Sequence, residues 1–284
     1  MATREQWLAG ARPRTLPAAV APVLIGTGAA AHLGAGHLGR AVLAGIVALA
    51  LQVGVNYAND YSDGVRGTDL ERVGPLRLTA SGVARAQEVL LAAMASFAVA
   101  GAAGLALVAW SGHWWLLAVG ALAILAAWTY TGGRRPYGYR GLGEVGVFVF
   151  FGLVATAGTT YTQADRVPWV AWLGAVGVGL LACALLMVNN LRDIPTDALT
   201  GKRTVAVRLG DRRARWGYAG LVVAPVLLGA ACALAAPWSL LVLLLLAPVV
   251  VLAGARGVAL VPVLAGTGLV QLAYGVLLGL GLAL

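Results

Sequence analysis

The chain has 284 residues, of which 60% are hydrophobic and only 11% are charged. Because soluble domains carry about 25% charged residues, this composition excludes an ordinary soluble domain and predicts an integral membrane protein. The net charge of +9 comes without an extended basic segment, which argues against nucleic-acid binding and favours anionic lipid headgroups and an anionic substrate. Cys183 and Cys232 lie within apolar segments and are expected to be core residues without a disulfide or metal role.

Apolar segments of the length that a membrane-spanning helix needs, about 20 residues, recur along the whole chain. They are 15–33, 41–60, 87–110, 113–131, 143–163, 168–190, 216–235, 238–254 and 258–282. The predicted fold class is therefore all-α, an integral membrane protein with about nine transmembrane helices in a single domain covering residues 1–284. No cleavable signal pattern is expected in the N-terminal residues.

Charged residues predict the orientation of these helices. With the N-terminus on the cytoplasmic side, every lysine and arginine except Arg40 and Arg166 falls on that side, as the positive-inside rule requires. Every acidic residue except Asp165 falls there too, whereas the histidines fall at the opposite end. The chemistry is therefore expected at the cytoplasmic face, without a histidine.

A polar stripe ends the second predicted helix. Its members share one helix face because they are spaced i, i+3, i+4 and i+7. They are Asn56, Asn59, Asp60 and Asp63. Carboxylates at the end of an apolar helix are costly unless a cation neutralises them, and hard oxygen ligands of this kind suit Mg²⁺. The alternative interpretation is a solvated helix end, where acidic residues are ordinary.

A second polar stripe ends the sixth predicted helix. Asn190, Asp193 and Asp197 are spaced i, i+3 and i+7, with Asn189 one position earlier. The interval of 133 residues between Asp60 and Asp193 indicates an internal duplication, with two four-helix pseudo-repeats followed by a final helix. Two facing aspartate stripes with Mg²⁺ between them are expected to hold a diphosphate.

Basic residues lie in the loops that adjoin the stripes. Arg134 and Arg135 lie in the loop 130–144, and Lys202, the only lysine of the chain, follows the second stripe. Such cations can bind diphosphate oxygens, although membrane-surface anchoring explains a single arginine equally well. The basic loop 64–86 is expected either to cover the site as a lid or to be solvated. The last three predicted helices are almost free of polar side chains and are expected to wall an apolar tunnel.

Three segments together resemble the UbiA superfamily of membrane prenyltransferases. They are NYANDYSDGVRGTD at 56–69, YTGGRRPYGYRGLGE at 130–144 and NNLRDIPTDALTGKRTVAVRLG at 189–210. Within the superfamily the chain looks most like the 1,4-dihydroxy-2-naphthoate polyprenyltransferase (MenA) family of menaquinone synthesis. It departs from many members in having Gly67, followed by Asp69, where they have a third aspartate. It also has Arg134 where others have the lysine of a Tyr-x-x-x-Lys pattern.

The resemblance implies a UbiA-type bundle around a central cavity, multi-pass in the bacterial inner membrane, with the N-terminus and active site cytoplasmic. The implied reaction transfers a polyprenyl group from polyprenyl diphosphate to 1,4-dihydroxy-2-naphthoate with loss of diphosphate and CO₂, with Mg²⁺ as cofactor. The implied catalytic residues are Asp60, Asp63, Asp193, Asp197 and Lys202, the four aspartates also binding the metal, with Asp69 as a further metal ligand. The implied substrate-binding residues are Asn56, Asn59, Arg14, Arg66, Tyr130, Arg134, Arg135, Tyr139, Asn189, Asn190 and Arg192.

The acceptor site is predicted from charge. A naphthoate carboxylate needs a cation or strong donors near the cytoplasmic end, and Arg14 in the N-terminal run RPRTLP is the predicted partner. Asn56 is the predicted partner of a ring hydroxyl, because its side-chain amide can donate a hydrogen bond. Membrane anchoring is the alternative role for Arg14.

Three other classes of function are compatible with parts of the pattern. A transporter would suit an apparent repeat, but the charges cluster at one end and not at the bilayer midplane. A UbiA-type enzyme with another acceptor, such as 4-hydroxybenzoate, haem or a chlorophyll precursor, would share the aspartate motifs. A non-catalytic membrane scaffold would leave two acidic stripes unexplained.

Overall fold

The computed structural model describes residues 2–68, 76–246 and 255–284, and in these ranges the chain is helical without a β-strand. The α-helices are α1 (Arg4–Ala11), α2 (Pro17–His32), α3 (Leu38–Arg66), α4 (Ala86–Ser111), α5 (Leu116–Thr129), α6 (Gly143–Ala164, with a π-helical segment Phe148–Val154), α7 (Trp169–Leu199), α8 (Val205–Ala231) and α9 (Leu260–Ala283). A 3₁₀ helix, Pro237–Leu246, lies between α8 and α9.

The structure confirms an all-helical, multi-pass membrane protein. Among the described residues, six helices are long and apolar enough to cross a bilayer, and the bent pair Arg4–Thr15 and Pro17–His32 would make a seventh crossing. Two shorter apolar helices, Leu116–Thr129 and Pro237–Leu246, occupy the places of the fourth and eighth predicted helices. The count of nine crossings stays a prediction, and 247–254, the end of the eighth predicted helix, lie outside the described residues.

Both polar stripes lie inside long helices. α3 runs to Arg66 and α7 runs to Leu199, well beyond the predicted ends at residues 60 and 190.

α8 begins at Val205, eleven residues before the predicted start, and is kinked at Gly210 (φ 72°, ψ 164°). The helix begins at this point because Thr204 caps it: the Thr204 hydroxyl accepts a hydrogen bond from the Val207 N–H. The sequence prediction missed the first turns because it was based on apolar segments and these turns are polar.

The N-terminal segment bends sharply before it enters the bundle. Arg12 ends α1 in the left-handed conformation (φ 53°), and Pro13 and Pro17 start the next two helical segments, where a missing N–H is tolerated. The axes of the two parts differ by 49°. The bend places the RPRT segment against the polar end of α3, where the Asn56 side chain donates a hydrogen bond to the Ala11 carbonyl oxygen.

The core lies around α7, most of which is buried between α2, α6, α8 and α9. Small residues let the helix backbones approach closely, as is typical of membrane bundles. A methyl group on Gly28 of α2 would lie only 2.1 Å from the Gly279 carbonyl oxygen of α9, and one on Gly275 would lie 2.6 Å from the Cα of Ala21. Helices α2 and α9 are therefore in backbone contact, which closes this side of the bundle.

Candidate active site

A cavity of about 1240 Å³ penetrates the bundle, larger than the ~300–1,000 Å³ of ordinary small-molecule sites. Residues of both polar stripes line one end, and apolar residues, most of them on α3, α4, α5 and α6, line the remainder. The expectation that the last three helices wall the tunnel is wrong for the described residues. That part of the chain contributes only Val258, Val261 and Leu264, because α9 is packed against α2 and α7.

The polar end brings most of the predicted site residues together. Its wall contains Asn56, Asn59, Asp63, Tyr130, Tyr139, Asn189, Asn190, Arg192, Asp193, Asp197, Lys202 and Arg14. Asn59 and Asp63 lie one helical turn apart, as do Asn189 and Asp193, and the two pairs are 130 residues apart. The internal duplication, with its interval of 133 residues between Asp60 and Asp193, stays a prediction.

Asp63 is the centre of a hydrogen-bonded group that joins three parts of the chain. The Tyr139 hydroxyl donates to its Oδ1 atom, and Lys202 Nζ lies 3.5 Å from Oδ2. The same Lys202 Nζ lies 4.7 Å from the centre of the Tyr139 ring, in cation–π geometry. Burial, reinforced by the Asp63 charge, raises the pKa of Tyr139, so its phenol stays protonated and remains a donor.

The loop after α5 is fastened to the first stripe. The Thr131 hydroxyl donates to Asn59 Oδ1 at 2.7 Å. The Arg66 guanidinium donates to the carbonyl oxygens of Thr131 and Gly133 and lies 5.6 Å from the Tyr139 ring centre. Arg66 is exposed and does not line the cavity. Its contacts therefore hold the loop in place, whereas the sequence predicted a substrate contact.

The second stripe is organised by an ion pair between sequence neighbours. Arg192 Nε donates to Asp193 Oδ1 at 2.7 Å and Nη2 donates to Oδ2 at 2.8 Å. Nη2 also donates to Asn189 Oδ1 at 2.8 Å. Both charged side chains are buried, and a buried pair of this kind needs such additional hydrogen bonds to offset desolvation. Asn190 Nδ2 donates to Glu144 Oε1 at 3.3 Å, which ties α7 to the start of α6.

Asp60 points away from the cavity. It is 1% exposed, and its Oδ2 and Oδ1 atoms accept hydrogen bonds from the backbone N–H groups of Leu78 (2.9 Å) and Thr79 (2.8 Å). Each residue of a helix is rotated by about 100° from the last, so Asn59 and Asp60 do not face the same way. The segment that Asp60 holds carries Arg77, which does line the cavity. This geometry supports an anchoring role for Asp60, and its metal role stays a prediction.

The predicted acceptor residues differ in their surroundings. Arg14 lies exposed on the cavity wall. Asn56 Nδ2 donates to the Ala11 carbonyl oxygen (2.8 Å) and to Thr15 Oγ1 (3.1 Å), which uses both of its N–H groups. Gln52 Nε2 donates to the same Thr15 hydroxyl at 2.9 Å. Asn56 therefore fixes the bent N-terminal segment, and its contact with a ring hydroxyl stays a prediction.

Other predicted residues fall away from the cavity or outside the described ranges. Arg134 and Arg135 are exposed and are absent from the cavity wall. Asp69 and the rest of 69–75, the middle of the loop predicted as a lid, lie outside the described residues. The described end of that loop, 76–85, is anchored by Leu78, which is fully buried. Burial raises the pKa of Tyr137, beside the cavity, to about 12, so this phenol also stays protonated.

Sequence reasoning did not find Gln52, Thr131 or Thr204, which line the polar end. Gln52 lies one turn before Asn56, so extending the stripe by four residues would have found it. Thr131 directly follows Tyr130, but nothing in its spacing distinguishes it from the neighbouring loop residues.

The carboxylates on the cavity wall are of the type that binds Mg²⁺. In the described part of the chain, no three histidine, cysteine or acidic side chains converge to hold a metal ion. Mg²⁺ commonly takes one or two carboxylates and completes its shell with water and substrate phosphates. Asp63, Asp193 and Asp197 therefore fit a metal that is held jointly with a diphosphate.

Comparison with known proteins identifies the family of this chain. Residues 19–263 match the model of the UbiA prenyltransferase family. The 1,4-dihydroxy-2-naphthoate octaprenyltransferase of Mycobacterium tuberculosis is 55% identical over 96% of this chain and 95% of its own length. The Escherichia coli protein of the same name is 44% identical over 77% of this chain and 73% of its own length.

A solved structure shares the fold. A UbiA homologue from Archaeoglobus fulgidus, bound to GPP and Mg²⁺, has a TM-score of 0.69 and 17% sequence identity, covering 95% of this chain and 98% of its own. The family match covers most of the chain, and the two mycobacterial relatives align over 95% of their own length. The chain therefore belongs to the UbiA prenyltransferase family, and within it to the group of 1,4-dihydroxy-2-naphthoate prenyltransferases.

Proposed function

We propose that this protein transfers a polyprenyl group from a polyprenyl diphosphate to 1,4-dihydroxy-2-naphthoate, releasing diphosphate and CO₂ and giving demethylmenaquinol. One observation carries the proposal: two carboxylate stripes and several cations meet at one end of a large apolar cavity. That arrangement suits a molecule with a diphosphate head and a long apolar tail. The 55% identity to the mycobacterial octaprenyltransferase supports the same reaction.

The polar end would bind the diphosphate. Asp63, Asp193 and Asp197 would hold Mg²⁺, which when bound supplies charge neutralisation for the leaving diphosphate. Lys202 is already fixed beside Asp63 and is the cation best placed to contact diphosphate oxygens. Tyr139 orients both groups, since its hydroxyl bonds Asp63 and its ring lies against Lys202.

The apolar wall would protect the reacting carbon. As the allylic C–O bond breaks, positive charge develops on the prenyl C1 atom, and water would capture it. The walls exclude water, and the Tyr130 ring at the polar end offers an aromatic face to this charge. The electron-rich naphthoate ring attacks C1, the carboxylate leaves as CO₂, and its electron pair restores the aromatic ring. Arg14 is the cation proposed to orient that carboxylate.

We also propose the arrangement in the membrane. Nine crossings, with the bent pair and the two short apolar helices included, put the polar end and nearly all basic residues on the cytoplasmic side of the plasma membrane. The matching stripes of α3 and α7 support two pseudo-repeats in one domain. The diphosphate and naphthoate substrates would then reach the site from the cytoplasm, and the tail from the bilayer.

Product analysis tests the reaction. Purified protein is incubated with Mg²⁺, a polyprenyl diphosphate and either 1,4-dihydroxy-2-naphthoate or 4-hydroxybenzoate, and the products are identified by mass. We expect the prenylated, decarboxylated naphthoquinol from the first acceptor and loss of activity with EDTA. Asp63→Asn should reduce turnover by about 10² or more. Equal or preferred prenylation of 4-hydroxybenzoate, or no prenylated product at all, would overturn the proposal.

A further inference from the structure

Three glycines line the apolar cavity from three different helices. Gly101 lies on α4, Gly120 on α5 and Gly158 on α6, and all three line the cavity. Each lies within a row of lining residues at helical spacing. The rows are Gly101, Leu105 and Val108; Leu116, Gly120, Ala123 and Ala127; and Phe151, Val154, Gly158 and Thr162. The missing side chains would therefore project into the cavity.

Neither backbone conformation nor close helix packing requires these glycines. None has the positive φ that marks the turn glycines of this chain. A methyl group on any of the three would meet no atom within 4 Å, in contrast to Gly28, where it would collide with Gly279. A glycine within a helix lowers helix stability relative to alanine. What the three positions share is the space that they leave inside the cavity.

The space lies along the path of an apolar tail and away from the reacting groups. Gly120 precedes Tyr130 by ten residues, about 15 Å along the helix axis, so it is remote from the carboxylate stripes. The surrounding wall is apolar. Helix α5 contacts α3 and α4, but none of its own residues is buried. A tail that starts at the polar end therefore passes between these helices.

We infer that Gly101, Gly120 and Gly158 determine which isoprenoid chain lengths this protein accepts, by keeping the tunnel wide beyond the first isoprene units. The inference rests on the proposed function and adds a specificity role for residues that touch neither the metal nor the diphosphate. A large side chain at these positions would block the tunnel for long donors and leave the polar end intact.

Donors of graded length test the inference. Gly120→Leu and Gly158→Leu are compared with the unmodified protein, using geranyl, geranylgeranyl and octaprenyl diphosphate with the same acceptor and Mg²⁺. We expect kcat/KM for octaprenyl diphosphate to fall by about 10- to 200-fold, the range for a changed fit in an apolar pocket, and kcat/KM for geranyl diphosphate to stay within about 3-fold. The ratio of the two values is the readout, because a general loss of folded protein does not move it.

Gly220 supplies the matched control. It lies on α8, a methyl group there would also meet no atom within 4 Å, and it does not line the cavity. Gly220→Leu should keep the unmodified ratio. If a leucine variant does not fold, Gly120→Ala and Gly158→Ala, which improve helix propensity, should lower the octaprenyl-to-geranyl ratio in the same direction.

The outcomes separate the two proposals. Equal losses with short and long donors, or an unchanged ratio in both the leucine and the alanine variants, would overturn the glycine inference and leave the proposed function standing. An unmodified protein that transfers none of the three donors would overturn the proposed function itself.

Discussion

The hydroxyl of Tyr139 donates a hydrogen bond to Oδ1 of Asp63, while the ring of the same tyrosine lies against the Lys202 ammonium. One side chain thus fixes a carboxylate from the first stripe and a cation that follows the second. The loop 130–142 is therefore part of the site, although it contributes no carboxylate.

Tyr139→Phe should separate these two contacts, because phenylalanine keeps the ring and loses the hydroxyl. A hydrogen bond to a charged group contributes about 1.5–3 kcal/mol, so we expect kcat/KM to fall by about 10-fold or more. Tyr139→Leu, which removes the cation–π contact as well, should lose more. Activity of the phenylalanine variant equal to that of the unmodified protein would show that the Asp63 contact is dispensable.

Tyr139 also sets an expectation for pH. The raised pKa of its phenol means that the neutral, donating form persists above the usual tyrosine range near 10. The contact with Asp63 is present below the raised pKa and is lost only as pH rises through it. Between pH 7 and 10 the ratio of activities of the unmodified protein and Tyr139→Phe should therefore stay constant. A ratio that declines toward one in this interval would contradict the assignment.

Asp60 and Asp63 should respond differently to substitution. If Asp60 acts by holding the segment that carries Arg77, then Asp60→Asn should lower the activity of the unmodified protein. In a protein that already carries Arg77→Ala, the same substitution should lower activity little further. Such non-additivity is measured with a double-mutant cycle. Asp60→Asn should also leave the Mg²⁺ concentration for half-maximal activity unchanged, whereas Asp63→Asn should raise it. Additive losses together with a raised Mg²⁺ requirement in Asp60→Asn would restore the metal role predicted from the sequence.

The basic residues near the polar end should fall into two groups. Lys202→Ala should raise KM for the prenyl diphosphate by about 10-fold or more, the scale of a lost charge-assisted hydrogen bond. Arg134→Ala and Arg135→Ala, on exposed side chains away from the cavity wall, should change it far less. Arg14→Ala should raise KM for the naphthoate and not for the prenyl donor. Equal effects of Lys202→Ala and Arg134→Ala on donor KM would contradict this division.

Sequence patterns predicted the helical membrane fold and most of the residues that gather at the polar end, but not which face of each helix they occupy. Spacing of i, i+3, i+4 and i+7 is compatible with either Asp60 or Asp63 facing the cavity. The choice depends on the packing of 76–84 against α3, where Gly64 makes room for Thr79. That contact joins residues about fifteen positions apart and leaves no periodic signal.

The position of the tunnel was not predictable either, for a related reason. Helices α4, α5 and α9 are all strongly apolar. Apolar side chains are favoured equally where a helix faces lipid, another helix or a substrate tail, so the composition does not distinguish these cases. Only the tertiary arrangement shows that α9 packs against α2 and α7 while α4 and α5 face the cavity. Polar residues are more informative, because each needs a partner, and they account for most of what the sequence predicted correctly.

The backbone contact between α2 and α9 bears on how the protein is made. α2 leaves the ribosome long before α9, so a contact such as that of Gly28 with Gly279 joins segments that are synthesised far apart in time. This contact cannot form until α9 has been synthesised, and contacts of such long sequence separation form slowly. During synthesis the bundle is therefore open along α2, a stage at which membrane insertases and chaperones have access to the surface that α9 will cover.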